Sequence, residues 1–133
     1  MARLLLDTHV LVRWLSESKR LTRDQARALR DAVRQGEQVA ISAITLLEIA
    51  VLFGEGRTRG GNEAEEILRE IDSSPAFQIL PLTVEVAGEV AALGPALRDP
   101  ADRAIVATAR VHKLRLLTSD QRIIESKLVQ VVG

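Results

Sequence analysis

Short apolar runs separated by stretches of helical period leave this chain few folds to choose from. Leu4-Leu5-Leu6 is unbroken and stops at Asp7. Val39 to Ala43 is a second buried run, Phe77 to Leu82 a third that Pro81 weakens, Leu114 to Leu117 a fourth, and Val129 to Val132 a closing one. Short, mostly apolar runs of this kind, unbroken at 4–6, suit strands buried on both faces, as in parallel sheets. Between them lie helical segments. Val10 to Leu15 is the first. Thr22-Arg-Asp-Gln25 fits a capping box and opens a second, which Gly36 stops. Thr45-Leu-Leu-Glu48 fits another capping box before a helix ending near Phe53-Gly54. Ile67, Leu68 and Ile71 mark a helix closing before Pro75. Thr83 to Leu93 follows, and Asp99-Pro-Ala-Asp102 opens a last long helix through Arg110, with Pro100 in the tolerated first turn. This alternation predicts an α/β fold with a mostly parallel sheet and helices on both faces.

At 133 residues the chain is expected to form a single domain, 1–133, with a self-supporting core. The absence of cysteine removes disulfide scaffolds, thiolate zinc sites, iron–sulfur clusters and cysteine nucleophiles. Two histidines, His9 and His112, are too few for a multi-histidine metal site. Three aromatics are too few for a base-stacking platform. Lysine plus arginine equal aspartate plus glutamate at 18 each, so any contact with nucleic acid must be local and salt-sensitive. No signal peptide or spanning segment is visible, so a cytoplasmic protein without membrane contact is expected.

In open α/β sheets the functional crevice lies outside the carboxyl ends of the strands. Asp7 and Asp120 directly follow predicted strands, Glu48 lies one turn into a helix after the second, and Asp102 begins the helix before the fourth. Singly, most have structural explanations. Glu48 suits a capping box, Asp99 a helix N-cap, Asp102 the positive end of a helix dipole, and Asp120 a cap for the final helix. Asp7 has none: after an apolar strand and before apolar helix residues, it would be desolvated without return.

Together they are harder to explain as structure. Two like charges roughly 4 Å apart repel by about 4 kcal/mol at an effective dielectric near 20. No lysine follows the strand ends closely, and Arg103 is the nearest counter-ion. A divalent cation resolves the conflict. Oxygen-only donors describe Mg²⁺ or Mn²⁺ rather than zinc or copper, in a site suited to phosphodiester hydrolysis.

Four blocks carry a family resemblance: residues 4–15 (LLLDTHVLVRWL), 42–50 (SAITLLEIA), 98–109 (RDPADRAIVATA) and 116–120 (LLTSD). In this order and spacing they resemble the PIN-domain ribonucleases, most closely the VapC-type toxins of toxin–antitoxin modules. The resemblance implies a three-layer α/β/α fold with a central parallel sheet and a metal-dependent endoribonuclease site. Asp7, Glu48, Asp102 and Asp120 take the four acidic positions that hold Mg²⁺ or Mn²⁺. Thr8, and Thr118 or Ser119, are implied as hydroxyl supports; Asp99 is expected mainly to cap its helix, with contact to the metal through water the lesser alternative. It also implies an RNA substrate, a cognate antitoxin seated in an apolar groove, and a homodimer.

Other features read more plainly. His9 replaces the asparagine of many relatives and is expected to be a satisfied neighbour of the site, not a base. Trp14 is expected to pack. Residues 46–53 are apolar on too many faces for a free helix and suggest contact with a second chain. Arg13 and Arg103 lie beside acidic positions and are expected to offset charge or steer phosphate. Arg57 and Arg59 sit in a glycine-rich connector read as a solvated loop, with phosphate contact the sharper alternative. Three rivals remain. A haloacid-dehalogenase-type phosphatase needs an acid where His9 stands. A receiver domain needs paired acids and a late lysine. A binding module of the same fold without catalysis is disfavoured by all four acidic positions being filled.

Overall fold

The computed structural model describes residues 2–54, 57–58 and 61–133. Its first half runs β1 (Leu4–Leu6), α1 (Thr8–Ser16), a 3₁₀ turn (Ser18–Arg20), α2 (Arg23–Arg34), β2 (Val39–Ser42) and α3 (Ala43–Phe53). The middle adds β3 (Arg57–Thr58), β4 (Gly61–Asn62), α4 (Glu63–Ser73) and β5 (Phe77–Leu80). The last part holds α5 (Val84–Ala92), α6 (Pro100–His112), β6 (Arg115–Leu117), α7 (Gln121–Ser126) and β7 (Val131–Val132).

The central sheet has five strands in the order β5-β2-β1-β6-β7, every pair parallel. Its strands alternate sides as their pleat requires. Leu5 points into one apolar layer with Val86, Leu97, Ile105 and Val106 from α5, α6 and the loop between them. Leu4 and Leu6 point into the other, with Val10, Leu29, Ile49 and Ile67 from α1 to α4. That two-sided burial is why β1 reads as an unbroken leucine run. Each such side chain contributes about 1.5–3 kcal/mol relative to exposure. The expected three-layer arrangement is therefore present, with the sheet in the middle.

The parallel order also locates the crevice. From β1 the chain crosses to β2 and β5 on one side, then returns to β6 and β7 on the other. Strand order reverses between β1 and β6, and the carboxyl ends of those two strands frame the opening that open α/β sheets use for ligands.

Several local expectations change. The connector after α3 is not all loop, since β3 and β4 pair as an antiparallel ribbon; Arg57 lies in β3, and Arg59 is outside the described residues. The capping box at Thr45 does not form. Ser42 caps α3 instead, its hydroxyl accepting from the Ile44 amide, because the turn after β2 starts the helix at Ala43. Glu48 is thereby released from capping and lies near the helix middle. The capping box at Thr22 does form. Gly36, just past α2, takes φ +68°, the left-handed conformation that glycine tolerates best after a helix.

Gln25 does more than complete that box. It is fully buried, and its amide nitrogen lies 3.1 Å from Ser119 Oγ and 3.4 Å from the Val132 carbonyl. The Thr22 hydroxyl donates to the Gly133 carbonyl at 2.8 Å. The start of α2 is thus stitched to the ends of β6 and β7. Replacing Gln25 with Ala removes its bonds to Ser119, Val132 and the Thr22 amide from a side chain that is fully buried, and we expect a loss of about 2 kcal/mol in urea denaturation. A loss within about 0.5 kcal/mol, the range of an ordinary surface change, would contradict the stitch.

Candidate active site

One cleft of about 380 Å³ opens at the carboxyl edge of the sheet, and five carboxylates line it: Asp7, Glu48, Asp99, Asp102 and Asp120. Three guanidiniums, Arg13, Arg20 and Arg122, share its walls. The four acids singled out from the sequence are brought together by β1, α3, α6 and the β6–α7 turn. A larger apolar groove, about 520 Å³, between α1 and α2 contains no carboxylate.

Asp7 is buried, and each of its oxygens accepts a hydrogen bond. It is the N-cap of α1: Oδ1 accepts from the Thr8 amide at 2.9 Å, and Oδ2 accepts from the Thr118 hydroxyl at 2.7 Å. Its place after an apolar strand predicts no structural return, but the geometry supplies two hydrogen bonds. Each oxygen keeps a further lone pair for a ligand.

Thr8 donates its hydroxyl to Glu48 Oε1, and the same hydroxyl lies 3.1 Å from that of buried Thr45. Glu48 stands six residues past the Ser42 cap rather than three past Thr45, out of capping reach, because α3 starts earlier. Burial pushes its carboxyl above the usual range, and Asp7 and Asp99 add to that against the lowering effect of the Thr8 bond.

Thr118 and Ser119, the paired candidates for hydroxyl support, divide the work. The Thr118 hydroxyl holds Asp7 and accepts from the Asp120 amide. The Ser119 hydroxyl is taken by Gln25, so only its amide serves the site, donating to His9 Nε2 at 2.9 Å. That bond leaves the proton of neutral His9 on Nδ1, which faces Asp7 Oδ2 at 3.5 Å. Burial lowers the His9 pKa, with Asp7 opposing. His9 is a neighbour of the site whose Nε2 is occupied by the Ser119 amide. Trp14 packs edge-on against Phe77 at 5.7 Å, as expected.

Asp99 caps α6, accepting from the Ala101 amide at 3.0 Å, and its charge bears on the cleft. Asp102 carries the largest electrostatic burden. Burial, then Asp99, Asp7 and Asp120, push it up to about 7, and only Arg122 pulls it back. Asp120 is held low instead, because Arg122 bonds it directly.

The counter-ion is therefore not Arg103. That side chain turns away and donates to the carbonyls of Val90, Gly94 and Leu97, clamping the end of α5. Arg122 takes the place instead, at 3.0 Å from Asp120 and 3.8 Å from Asp102. It lies two residues past the Asp120 cap, where a long side chain folds back over the helix start. Asking which cation follows that cap would have found it. Arg13 does line the cleft, and Arg20 joins it from the 3₁₀ turn.

Among the described residues no three acidic or histidine side chains, as placed, already stand close enough to hold one ion. The donor set is nonetheless of one kind. Asp7, Asp102 and Asp120 offer only oxygens from three different elements, with Glu48 behind them, which suits Mg²⁺ or Mn²⁺.

A three-layer fold with an acidic cleft at the carboxyl ends of β1 and β6 is the architecture of the PIN domain, and the PIN-domain family model matches residues 4–127. The chain belongs to that family. It is 32% identical over 124 residues to Ribonuclease VapC22 of Mycobacterium tuberculosis, covering 92% of this chain and 91% of that protein. Among solved structures it is similar to FitAcB from Neisseria gonorrhoeae, with a TM-score of 0.73 and 26% identity over 98% of this chain and 96% of that one. The fold is shared with VapBC2 from Rickettsia felis, with a TM-score of 0.74 at 15% identity over 97% of this chain and 96% of that one.

The Asp102 environment makes a stability prediction. A carboxyl raised from 3.8 toward about 7 in the folded state ionises at the expense of folding. That cost is absent below about pH 4, grows through pH 4–7 and is complete above. In metal-free buffer Asp102→Asn should gain on the order of 2 kcal/mol over the parent at pH 8, less than the full shift because solvent and Arg122 screen the cleft. The gain should vanish near pH 4 in thermal melts. A variant less stable than the parent at pH 8 would show that the carboxylate is structural.

Proposed function

We propose that this PIN-domain protein is the endoribonuclease toxin of a toxin–antitoxin pair, acting as a single nuclease domain over residues 1–133. The observation that carries the reading is the convergence of five carboxylates in one cleft, with Asp102 left uncompensated enough to rise to about 7. A relative at 32% identity is named a ribonuclease, and a solved neighbour from Klebsiella pneumoniae, at 25% identity, is a toxin–antitoxin complex.

Asp7, Asp102 and Asp120 would hold Mg²⁺ or Mn²⁺, with Glu48 beside them. The cation supplies positive charge for phosphate oxygens and acidifies attacking water. The remaining work is done by the chain. Thr118 and the Thr8 amide fix the Asp7 carboxylate in one orientation. Thr8 fixes Glu48 Oε1, so that a carboxyl whose affinity for protons is already raised stands ready to take one from water. Arg13 and Arg20 supply positive charge on the cleft wall for the RNA backbone.

The partners follow from the surface. Leu47, Val51 and Leu52 on α3 are 58%, 67% and 65% exposed, an apolar face suited to a second copy in a homodimer. The cognate antitoxin is the second partner. Among the described residues no helix is long and apolar enough to cross a membrane, and a cytoplasmic setting is part of the proposal.

The test is cleavage of total cellular RNA by antitoxin-free protein with Mg²⁺, Mn²⁺ or chelator. Discrete fragments should require the cation. Asp7→Asn and Asp102→Asn should each lower the rate about 10³-fold or more, roughly 4 kcal/mol of transition-state stabilisation. Cleavage that survives both substitutions would exclude the cleft as the active site. No cleavage, together with no divalent-cation binding by calorimetry, would favour a binding module.

A further inference from the structure

The cleft already contains a cation of its own. Arg122 Nη2 lies 3.0 Å from Asp120 Oδ2, Arg122 Nε lies 3.3 Å from Asp120 Oδ1, and the Arg122 amide donates to that same Oδ1 at 2.9 Å. Nη2 also lies 3.8 Å from Asp102 Oδ2. Two carboxylates from different elements, α6 and the turn before α7, are thus bridged by one guanidinium. Arg13 and Arg20 line the same cleft without this role. Arg20 pairs with Glu17 at 3.5 Å, and among the described residues only Arg122 forms an ion pair with acids of the cleft through a guanidinium.

We propose that Arg122 is a resident counter-cation, which a divalent ion must displace from Asp120 and Asp102 in order to bind. The inference rests on the proposed function, because it takes those two acids as part of the cation-holding set. Three observations support exchange. Asp120 Oδ1 and Oδ2 both accept from Arg122, so a divalent ion coming onto that carboxylate meets the guanidinium charge already seated against it. The Arg122 side chain lines the cleft wall yet is 73% exposed, so it can swing into solvent without opening the core. The paired fork on Asp120 is the stronger kind of charge-assisted contact, so displacement carries a cost. Arg122 therefore sets a threshold for cation binding and partly offsets the charge of Asp120 and Asp102 until the ion arrives.

Mn²⁺ binding to the full chain, followed by the electron paramagnetic resonance of free Mn²⁺, tests this without any reading of activity. Arg122→Gln is expected to bind Mn²⁺ about two- to fivefold more tightly than the parent at low salt, the range that an exposed ion pair accounts for. Arg122→Lys, which keeps the charge but loses the fork, should fall between them. The gap between parent and Arg122→Gln should close toward about 1 M salt, where screening acts within roughly 3 Å. Equal binding by parent and Arg122→Gln, or weaker binding by the variant, would overturn the inference while leaving the metal reading intact. Absence of Mn²⁺ binding in both proteins would overturn the metal reading itself, and this inference with it.

Discussion

Negative charge held at the end of a parallel strand is the constraint around which the molecule is organised. Asp7 leaves β1 where β1 and β6 end together, and it is tied across that seam to Thr118. The bond serves packing and chemistry at once. It joins the two central strands at their carboxyl ends and fixes a buried carboxylate beside four others. Everything nearby accommodates that charge: the Thr8 hydroxyl is turned onto Glu48, His9 is kept neutral by burial and the Ser119 amide, and Arg122 covers Asp120.

The supporting framework reaches far behind the cleft. Gln25, buried under α2, holds the Ser119 hydroxyl, and the Ser119 amide holds His9, whose other face meets Asp7. A residue that first serves to start a helix thus ends a chain of contacts leading to the site. The arrangement explains how a sheet edge made from short strands of only two to four residues can keep crowded like charges in register. The carboxylates are spread over several elements, and each element is anchored separately by a cap or a buried hydroxyl.

Much of this was legible from residue order alone. Apolar runs buried on both faces announce a parallel sheet, and the rule that ligands sit at carboxyl ends selects Asp7, Glu48, Asp102 and Asp120. Those signals are strong because strand burial and topology are global properties that leave a regular pattern. What stayed hidden depends on one or two residues of local geometry. Ser42 rather than Thr45 caps α3, which removes the capping role that was the structural alternative for Glu48. Arg103 is the counter-ion that the sequence suggests, and only the direction of the side chains makes it a clamp on α5 and Arg122 the counter-ion. Ser119 and Thr118 are adjacent hydroxyls, and because strand-end side chains alternate, one faces Asp7 and the other Gln25.

The central claim is that these carboxylates form a cation site whose ligands come from β1, α6 and the β6–α7 turn. Anomalous diffraction from crystals of the protein grown with Mn²⁺ tests it most directly. The account predicts a peak shared by Asp7, Asp102 and Asp120, with the Arg122 guanidinium withdrawn from the latter two. A cleft with no anomalous peak and Arg122 still bridging Asp102 and Asp120, or Mn²⁺ bound only elsewhere, would contradict it.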